Sequence, residues 1–324
     1  MSKYSVILSN VGSCADRYVS QGYDEAVEIS ELFARVSRIP QVTGVELVGT
    51  WHVKDHNIKE LKKYLDDYNL QLSSIIPDHF GQAMWKNGSF SSRDPKIRRQ
   101  AIEHAKEMMD VAAELGGNLI SLWPGQDGYD YVFQNDYIRE RDYITESLRE
   151  VCSYREDIKV ALEYKIKEPR THSYISTAAV TLLIVQEIGS KNCGVTIDFG
   201  HALNAYENPA ETVALLKKYG DKLFHVHMND NYRHWDDDMM VGSVHTVETL
   251  EFFYWLKRTA YQGWLSIDQY PYREESLAAV REGVNAMEDF VRIVNCLPTE
   301  EVEALIESGN TVHTRAYLRN LLLS

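Results

Sequence analysis

The residues best suited to chemistry crowd into one run, Leu223-Phe-His-Val-His-Met-Asn-Asp-Asn-Tyr-Arg-His-Trp-Asp-Asp-Asp-Met239. His225, His227, Asp230, His234, Asp236, Asp237 and Asp238 all fall within fourteen positions. The run opens on Leu223, Phe224 and Val226, which reads as a buried strand. Hydrophobic burial does not account for so many imidazoles and carboxylates. Oxygen and nitrogen donors at the end of a strand are what a hard or borderline divalent cation requires. The plainer reading is a solvated acidic loop, and the rest of the chain weighs against it.

Further polar residues recur at the ends of other short apolar runs. These ends are Gly49-Thr-Trp-His-Val-Lys-Asp55, Leu122-Trp-Pro-Gly-Gln126, Leu162-Glu-Tyr-Lys165, Ile197-Asp-Phe-Gly-His201 and Ile267-Asp-Gln269. Carboxylates brought together there would repel one another and raise their own pKa values. Two divalent cations would offset almost all of that charge. Glu163 and Lys165 are two apart, so on a strand they face the same side. An ammonium beside carboxylates can polarise a substrate oxygen; its plainer role is an ion pair with Glu163. His225 lies deeper than His227 and reads as a satisfied core histidine. Asp230 and Asp237 read as turn and supporting groups, and Trp85 and Trp123 as core residues unless a pocket claims them.

Eight strands are expected, at Tyr4–Leu8, Val45–Val48, Leu70–Ile76, Leu119–Trp123, Lys159–Glu163, Gly194–Asp198, Leu223–His227 and Trp264–Asp268. Amphipathic stretches such as Ile97–Leu115, Asp136–Tyr154, Pro209–Tyr219 and Ser276–Val294 alternate with them. Asp94-Pro95 starts a helix and Gly116-Gly117 stops it. Strict alternation favours parallel strands with right-handed crossovers. Eight units over about 290 residues match a (β/α)8 TIM barrel, whose chemistry sits at the C-terminal ends of its strands. No Gly-x-Gly-x-x-Gly follows the first strand, which counts against a dinucleotide fold. Residues 1–296 are expected to form the barrel and 297–324 a short C-terminal helical extension.

The formal charge of -14 argues against a nucleic-acid or anionic-membrane partner. No apolar run approaches the roughly 18 residues of a membrane span. Cys14, Cys152, Cys193 and Cys296 show no paired spacing, so they read as reduced thiols of a cytoplasmic protein.

At this point the chain resembles a family. Met84-Trp-Lys-Asn-Gly-Ser-Phe-Ser-Ser-Arg-Asp-Pro-Lys-Ile-Arg-Arg99, Ala112-Ala-Glu-Leu-Gly-Gly117, Leu122-Trp-Pro-Gly-Gln126, Glu163-Tyr-Lys165 with Glu168-Pro-Arg170, and His52-x-x-Asp55 are similar to xylose isomerase. Asp198-Phe-Gly-His201, Asp236-Asp-Asp238 and Ile267-Asp-Gln269 look closer to L-rhamnose isomerase, a relative with the same barrel. The resemblance covers about residues 45 to 290. It implies a sugar isomerase that interconverts an aldose and its ketose by a metal-assisted 1,2-hydride shift. Glu163, Asp198, His227 and Asp268 would hold one divalent ion. Asp198, His201, Asp236 and Asp238 would hold a second. Lys165 would hydrogen-bond the substrate carbonyl, and His52, oriented by Asp55, would assist ring opening. Trp85 and Trp123 would wall the pocket, with His201 and Arg233 also on the substrate.

The resemblance has departures. Where xylose isomerase carries Glu and Asp, this chain has Asp198 and His227. An imidazole should favour manganese or cobalt over magnesium. The long C-terminal arm of xylose isomerase is absent, so a homo-oligomer, dimer or tetramer, is expected without that arm's contacts. The alternative is a one-metal ketose 3-epimerase of the same superfamily, which resembles the chain at Asp198-x-x-His201, His227 and Arg233. Such enzymes abstract a proton with paired glutamates, yet strand eight here ends in Asp268. A DNA-repair endonuclease on this barrel would need a histidine-rich three-zinc cluster and a basic face. A non-enzymatic sugar-binding subunit would be expected to have lost ligands, and none is missing. A sugar phosphate is disfavoured, because no Gly-rich cradle or Lys/Arg cluster follows strands seven and eight.

Overall fold

Short runs rich in Val, Ile and Leu form eight parallel strands: β1 (Lys3–Ile7), β2 (Val42–Val48), β3 (Gln71–Ile76), β4 (Leu119–Leu122), β5 (Lys159–Glu163), β6 (Cys193–Asp198), β7 (Leu223–Met228) and β8 (Trp264–Ile267). The structure is a computed structural model that describes residues 3–15, 18–54 and 56–323. Each strand pairs with its neighbour in sequence, and β1 closes on β8 with Lys3 opposite Trp264 and Val6 opposite Ile267. This is the expected (β/α)8 barrel, and all eight expected strands are present.

Helices follow the strands on the outside. Their starts use local chemistry readable in the sequence. The Asp94 carboxylate accepts from the Lys96 N–H at 2.9 Å and Pro95 occupies the first turn of Pro95–Glu114. Asn208 does the same for Pro209–Lys218, accepting from the Ala210 N–H at 2.8 Å. Each such cap contributes about 1 kcal/mol. Gly189, at φ 75°, ends Ala178–Ile188 in the left-handed conformation that glycine adopts without cost. After Cys296 come two further helices, Thr299–Ser308 and Thr311–Leu323.

Side chains alternate across each strand. Val45, Leu47, Ile75, Ile120, Leu162, Ile197 and Val226 point outward into one large core under the helices. The inward positions differ from the bulky branched layers usual in such barrels. Ser5, Glu46, Ser74, Ser121, Thr196, His225 and Ser266 are all fully buried. One small apolar group, Ile7, Val48 and Ile76 with Phe80 against it, stands apart from the main core.

Two features carry no sequence periodicity and were not expected. Gly128–Tyr129, Lys167–Glu168 and Thr171–Ser173 form a small antiparallel sheet. Short helices Gly49–His52 and Phe199–Asn204 follow directly on β2 and β6.

Candidate active site and cation cluster

The ends of β5 to β8 bring Glu163, Asp198, His227 and Asp268 together, with one donor atom from each all within 4.8 Å of one another. Register explains this: Glu163 pairs with Thr196, His227 with Asp198, and His227 with Ser266. The acidic and imidazole positions therefore share the inward face at the C-terminal ends of these strands. His227 Nδ1 lies 3.4 Å from Glu163 Oε1 and 3.4 Å from Asp268 Oδ2.

Asp198 also belongs to a second group, with His201 and Asp236. The Asp198 carboxylate accepts from the His201 N–H at 2.7 Å, capping the short helix that carries that imidazole. His201 Nε2 lies 3.2 Å from Asp236 Oδ2. Lys165 forms an ion pair with Asp236 at 2.6 Å and another with Glu168. Its Nζ lies over the Trp123 ring, 5.0 Å from the centroid. Asp238 lines the same cavity but joins neither group.

These residues fit divalent ions. Buried polar atoms are almost always hydrogen-bonded. Here His227 Nδ1, His201 Nδ1 and Asp236 Oδ1 are buried without a hydrogen-bond partner. Each is a nitrogen or oxygen atom on a residue of the two groups that a cation could claim, the imidazoles by giving up a proton as it binds.

The charges of the cluster point the same way. Burial pushes the Asp268 carboxyl up to about 8, with Asp198 and Glu163 adding to the effect against the opposing pull of His227. Burial likewise raises Asp198 to about 6, and Asp236 and Glu163 add to it. Burial, then Asp236 and Asp268, lift Asp238 well above the carboxylate range. Burial disfavours the charged imidazoles, but Asp198 outweighs it at His201 and Glu163 at His227, so both are held protonated well above their usual range. Burial would raise Glu163 too, yet His227 and His201 hold it at about 2. Protons thus supply the positive charge that cations would replace.

Beneath the cluster lies a group that the sequence reading missed. Glu46 is fully buried on β2; its Oε1 is 2.7 Å from His225 Nε2 and its Oε2 3.3 Å from His227 Nε2. Ser74 donates a third hydrogen bond to it. Glu46 therefore anchors the far nitrogen of His227 and leaves Nδ1 facing the cluster. Asn229 is a second omission. Its amide donates to Asp198 Oδ2 at 2.9 Å and to the Asp268 carbonyl at 3.0 Å, while its oxygen accepts from the Gly200 N–H at 2.8 Å. The alternation of β2 placed Glu46 inward, and that was the available signal.

The cavity above these ligands is about 260 Å³. Ile7, Val48, Ile76, Phe80, Trp51 and Trp123 line one part of it; Glu163, Lys165, His201, Asp236, Asp238 and Asp268 line another. Trp123 therefore walls the pocket, and its ring sits 4.6 Å from that of Phe80. Three expected residues are elsewhere. Trp85 is buried, with its indole N–H donating to the Asp78 carbonyl at 2.8 Å. His52 is buried with Nδ1 accepting from the Val48 N–H at 2.8 Å, and neighbouring Trp51 reaches the cavity instead. Burial, aided by Lys54, lowers the His52 imidazole to about 4, so it is neutral. Asp55, its expected partner, lies outside the described residues. Arg233 sits at φ 68°, which turns its side chain to His245 Nε2 at 3.1 Å and to Glu248 at 3.5 Å. Asp230 and Asp237 act as turn groups: Asp230 accepts from the Val244 and His245 N–H groups, both at 2.8 Å, and Asp237 from the Tyr232 N–H at 3.0 Å.

Comparisons with known proteins agree with this architecture. The chain is 29% identical to a xylose isomerase of Thermus thermophilus over 228 residues, which is 68% of this chain and 59% of that enzyme. It thus spans about three fifths of the length of that relative. It is 34% identical to a probable sugar isomerase of Rhizobium meliloti over 176 residues, 53% of this chain and 40% of the relative. Among solved structures, a D-tagatose 3-epimerase-like protein superposes with a TM-score of 0.69 at 25% identity, covering 90% of this chain and 98% of the other. The profile of the family described as xylose isomerase-like TIM barrel matches residues 33–290, and the chain belongs to that family, within the sugar isomerase and epimerase superfamily.

Proposed function

We propose that the protein is a divalent-cation-dependent isomerase that interconverts an aldose and a ketose of a free sugar by a 1,2-hydride shift. The observation that carries this reading is the pair of ligand groups sharing Asp198, with the Lys165 ammonium held between Asp236 and the Trp123 face. Glu163, Asp198, His227 and Asp268 would hold one ion, and Asp198, His201 and Asp236, with Asp238 nearby, a second. When bound, the ions would act as Lewis acids on the substrate oxygens. The imidazoles favour manganese or cobalt over magnesium.

The chain's own residues do the rest. Lys165 donates a hydrogen bond to the oxygen on carbon 1 as negative charge builds there. Asp236 and Glu168 keep that ammonium charged, outweighing its burial, and they fix its position. A donor placed where charge develops contributes on the order of 10² to 10³ in rate. Phe80, Trp123 and the Ile7, Val48 and Ile76 group exclude water from the migrating hydrogen. Hydrogen and its electron pair pass from carbon 2 to carbon 1, one proton passes from O2 to O1, and no solvent hydrogen reaches carbon. The free cysteines and the absence of a membrane-spanning helix among the described residues suit a cytoplasmic enzyme.

A second reading, a one-cation ketose 3-epimerase, is favoured by the likeness to the epimerase-like structure and by the sufficiency of the first four ligands. Glu163 and Asp268 would then exchange a proton at carbon 3, across which Asp268 is one methylene shorter than a glutamate. Proton NMR of a panel of free sugars in deuterated water, after turnover by a catalytic amount of the Mn²⁺-loaded protein and removal of the ion, separates the two. Aldose–ketose conversion without deuterium on carbon supports the hydride shift. Deuterium at carbon 3 with inversion there replaces it by the epimerase.

A further inference from the structure

The inner cavity opens into a larger one of about 730 Å³. Lys165, Asp236, Asp238, Tyr270 and Tyr272 line both, so the two are chambers of one site. Pockets that take a drug-sized ligand run to roughly 300–1,000 Å³. The inner chamber, at 260 Å³, is matched to a single sugar ring, and the outer one leaves room for as much again and more.

The outer chamber is not featureless. Tyr18, Tyr23, Tyr232, Trp235, Tyr270 and Tyr272 line it. Tyr270 and Tyr272 stack at 6.2 Å, and Tyr23 meets Tyr272 at 6.1 Å, which builds a continuous aromatic wall. Opposite exposures stand at its rim: Tyr18 is 77%, Tyr232 61% and Trp235 42% exposed. Aromatic surface gathered in this way marks a binding groove more often than a bare surface. Rings with an apolar face and a polar tip suit ligands with an apolar face and a polar edge. A pyranose has C–H groups on its faces and hydroxyls on its edge.

Charge narrows the class further. Glu168, Asp236, Asp237, Asp238 and Glu274 line the chamber against Lys165 and Arg273. With Asp236 and Asp238 beside the ions and Glu168 paired with Lys165, Asp237 and Glu274 remain against Arg273, acceptors for hydroxyl protons with no cationic cluster to hold a phosphate or uronate. We propose that the substrate carries a second, neutral sugar ring, joined to the reacting one away from carbons 1 and 2, and that this ring stacks on the aromatic wall of the outer chamber. The proposal rests on the sugar reading above and narrows its substrate class to a reducing disaccharide or longer sugar.

The test is isothermal titration of the Mn²⁺-loaded full chain with glucose, galactose and xylose, and with cellobiose, lactose, maltose and melibiose. The chelator-stripped chain is the control. At least one disaccharide is expected to bind tenfold or more tightly than its own reducing monosaccharide. Tyr23→Ala, in the wall but outside the inner chamber, should shrink that preference at least fivefold, and Tyr23→Phe, which keeps the ring, should retain it. Ion-dependent monosaccharide binding with no disaccharide above its monosaccharide overturns the second-ring proposal and leaves the sugar reading standing. A Tyr23→Ala variant that keeps the full preference also overturns it. The absence of ion-dependent binding by any sugar overturns both.

Discussion

Glu46→Gln is the most telling perturbation. The substitution keeps the volume of a fully buried side chain but replaces one carboxylate oxygen by an amide nitrogen. His225 Nε2 and His227 Nε2 now meet Glu46 at 2.7 and 3.3 Å. Burial would raise Glu46, yet those two imidazoles hold it well below the usual carboxylate range, so it is ionised. A glutamine offers an acceptor to one ring and a donor to the other. One ring must lose a charge-assisted hydrogen bond, worth about 1.5–3 kcal/mol. If that ring is His227, its Nδ1 is no longer held toward Glu163 and Asp268. Loss of a group that orients a ligand costs about 10- to 100-fold in metal affinity, or about 1.4–2.8 kcal/mol. Both routes give the same range. Manganese titration by calorimetry should show one of two ions weakened by that factor, with the ion held by His201 and Asp236 little changed. A folded Glu46→Gln variant whose two affinities stay within threefold of the parent would refute the orienting role.

Lys165→Met should bind the same number of ions and lose at least about 100-fold in turnover, because a lost electrostatic donor costs about 10² to 10³. Loss of ion stoichiometry in that variant would remove Lys165 from substrate contact and make it a support of Asp236. Asp198→Asn touches both ligand groups, so manganese titration should lose both ions together; retention of one at full affinity would break the shared-ligand reading. The pH dependence of the ion-free protein has a definite sign. Asp268 is raised to about 8 when folded, so its contribution is fully present below the ordinary Asp value near 4 and is lost as pH rises to 8. The raised His201 and His227 are also lost upward in pH. Ion-free Tm should therefore fall from pH 6 to pH 8.5, and the gap to the manganese-loaded protein should widen. A gap that stays constant across that range would contradict this.

The barrel was legible because its strands are short apolar runs in strict alternation with amphipathic helices. The convergence of Glu163, Asp198, His227 and Asp268 was legible for the same reason, since each closes such a run. What the sequence withheld has physical causes. Glu46 is a lone polar residue inside the apolar run Val45-Glu-Leu-Val48, with no neighbour in sequence to mark it; only the pairing of β2 within a closed barrel carries it across to His225. His52 and Trp85 end single short helical turns and Arg233 sits on a loop, where side-chain direction follows single backbone angles and partners. For Trp85 the partner is the Asp78 carbonyl, for His52 the Val48 N–H, and for Arg233 a left-handed backbone decides. No periodicity encodes such choices. The two- and three-residue strands of the small sheet are too short for an alternating pattern to show.

The polar interior of the barrel ties function to folding. Filling the inward positions with Ser5, Glu46, Ser74, Thr196 and His225 in place of branched aliphatics gives up apolar burial, at roughly 25 cal/mol for each Å². Hydrogen bonds repay part of it, as between Ser121 and Thr196 at 2.8 Å. The layer above leaves three buried donor atoms unpaired, and such atoms cost about 1–3 kcal/mol each. A cation that binds only the folded chain stabilises it by about 2.7 kcal/mol at a hundredfold excess over its Kd, so two such ions fall within the range of about 3–9 kcal/mol that the three atoms create together. The site is therefore weakest as structure where it is best prepared as a ligand set, and loading with ions should tighten the ends of β5 to β8 more than any other part of the barrel. Hydrogen exchange at Glu163, Asp198 and His227 with and without manganese reads this directly: equal protection in both states would separate ion binding from the stability of the strand ends.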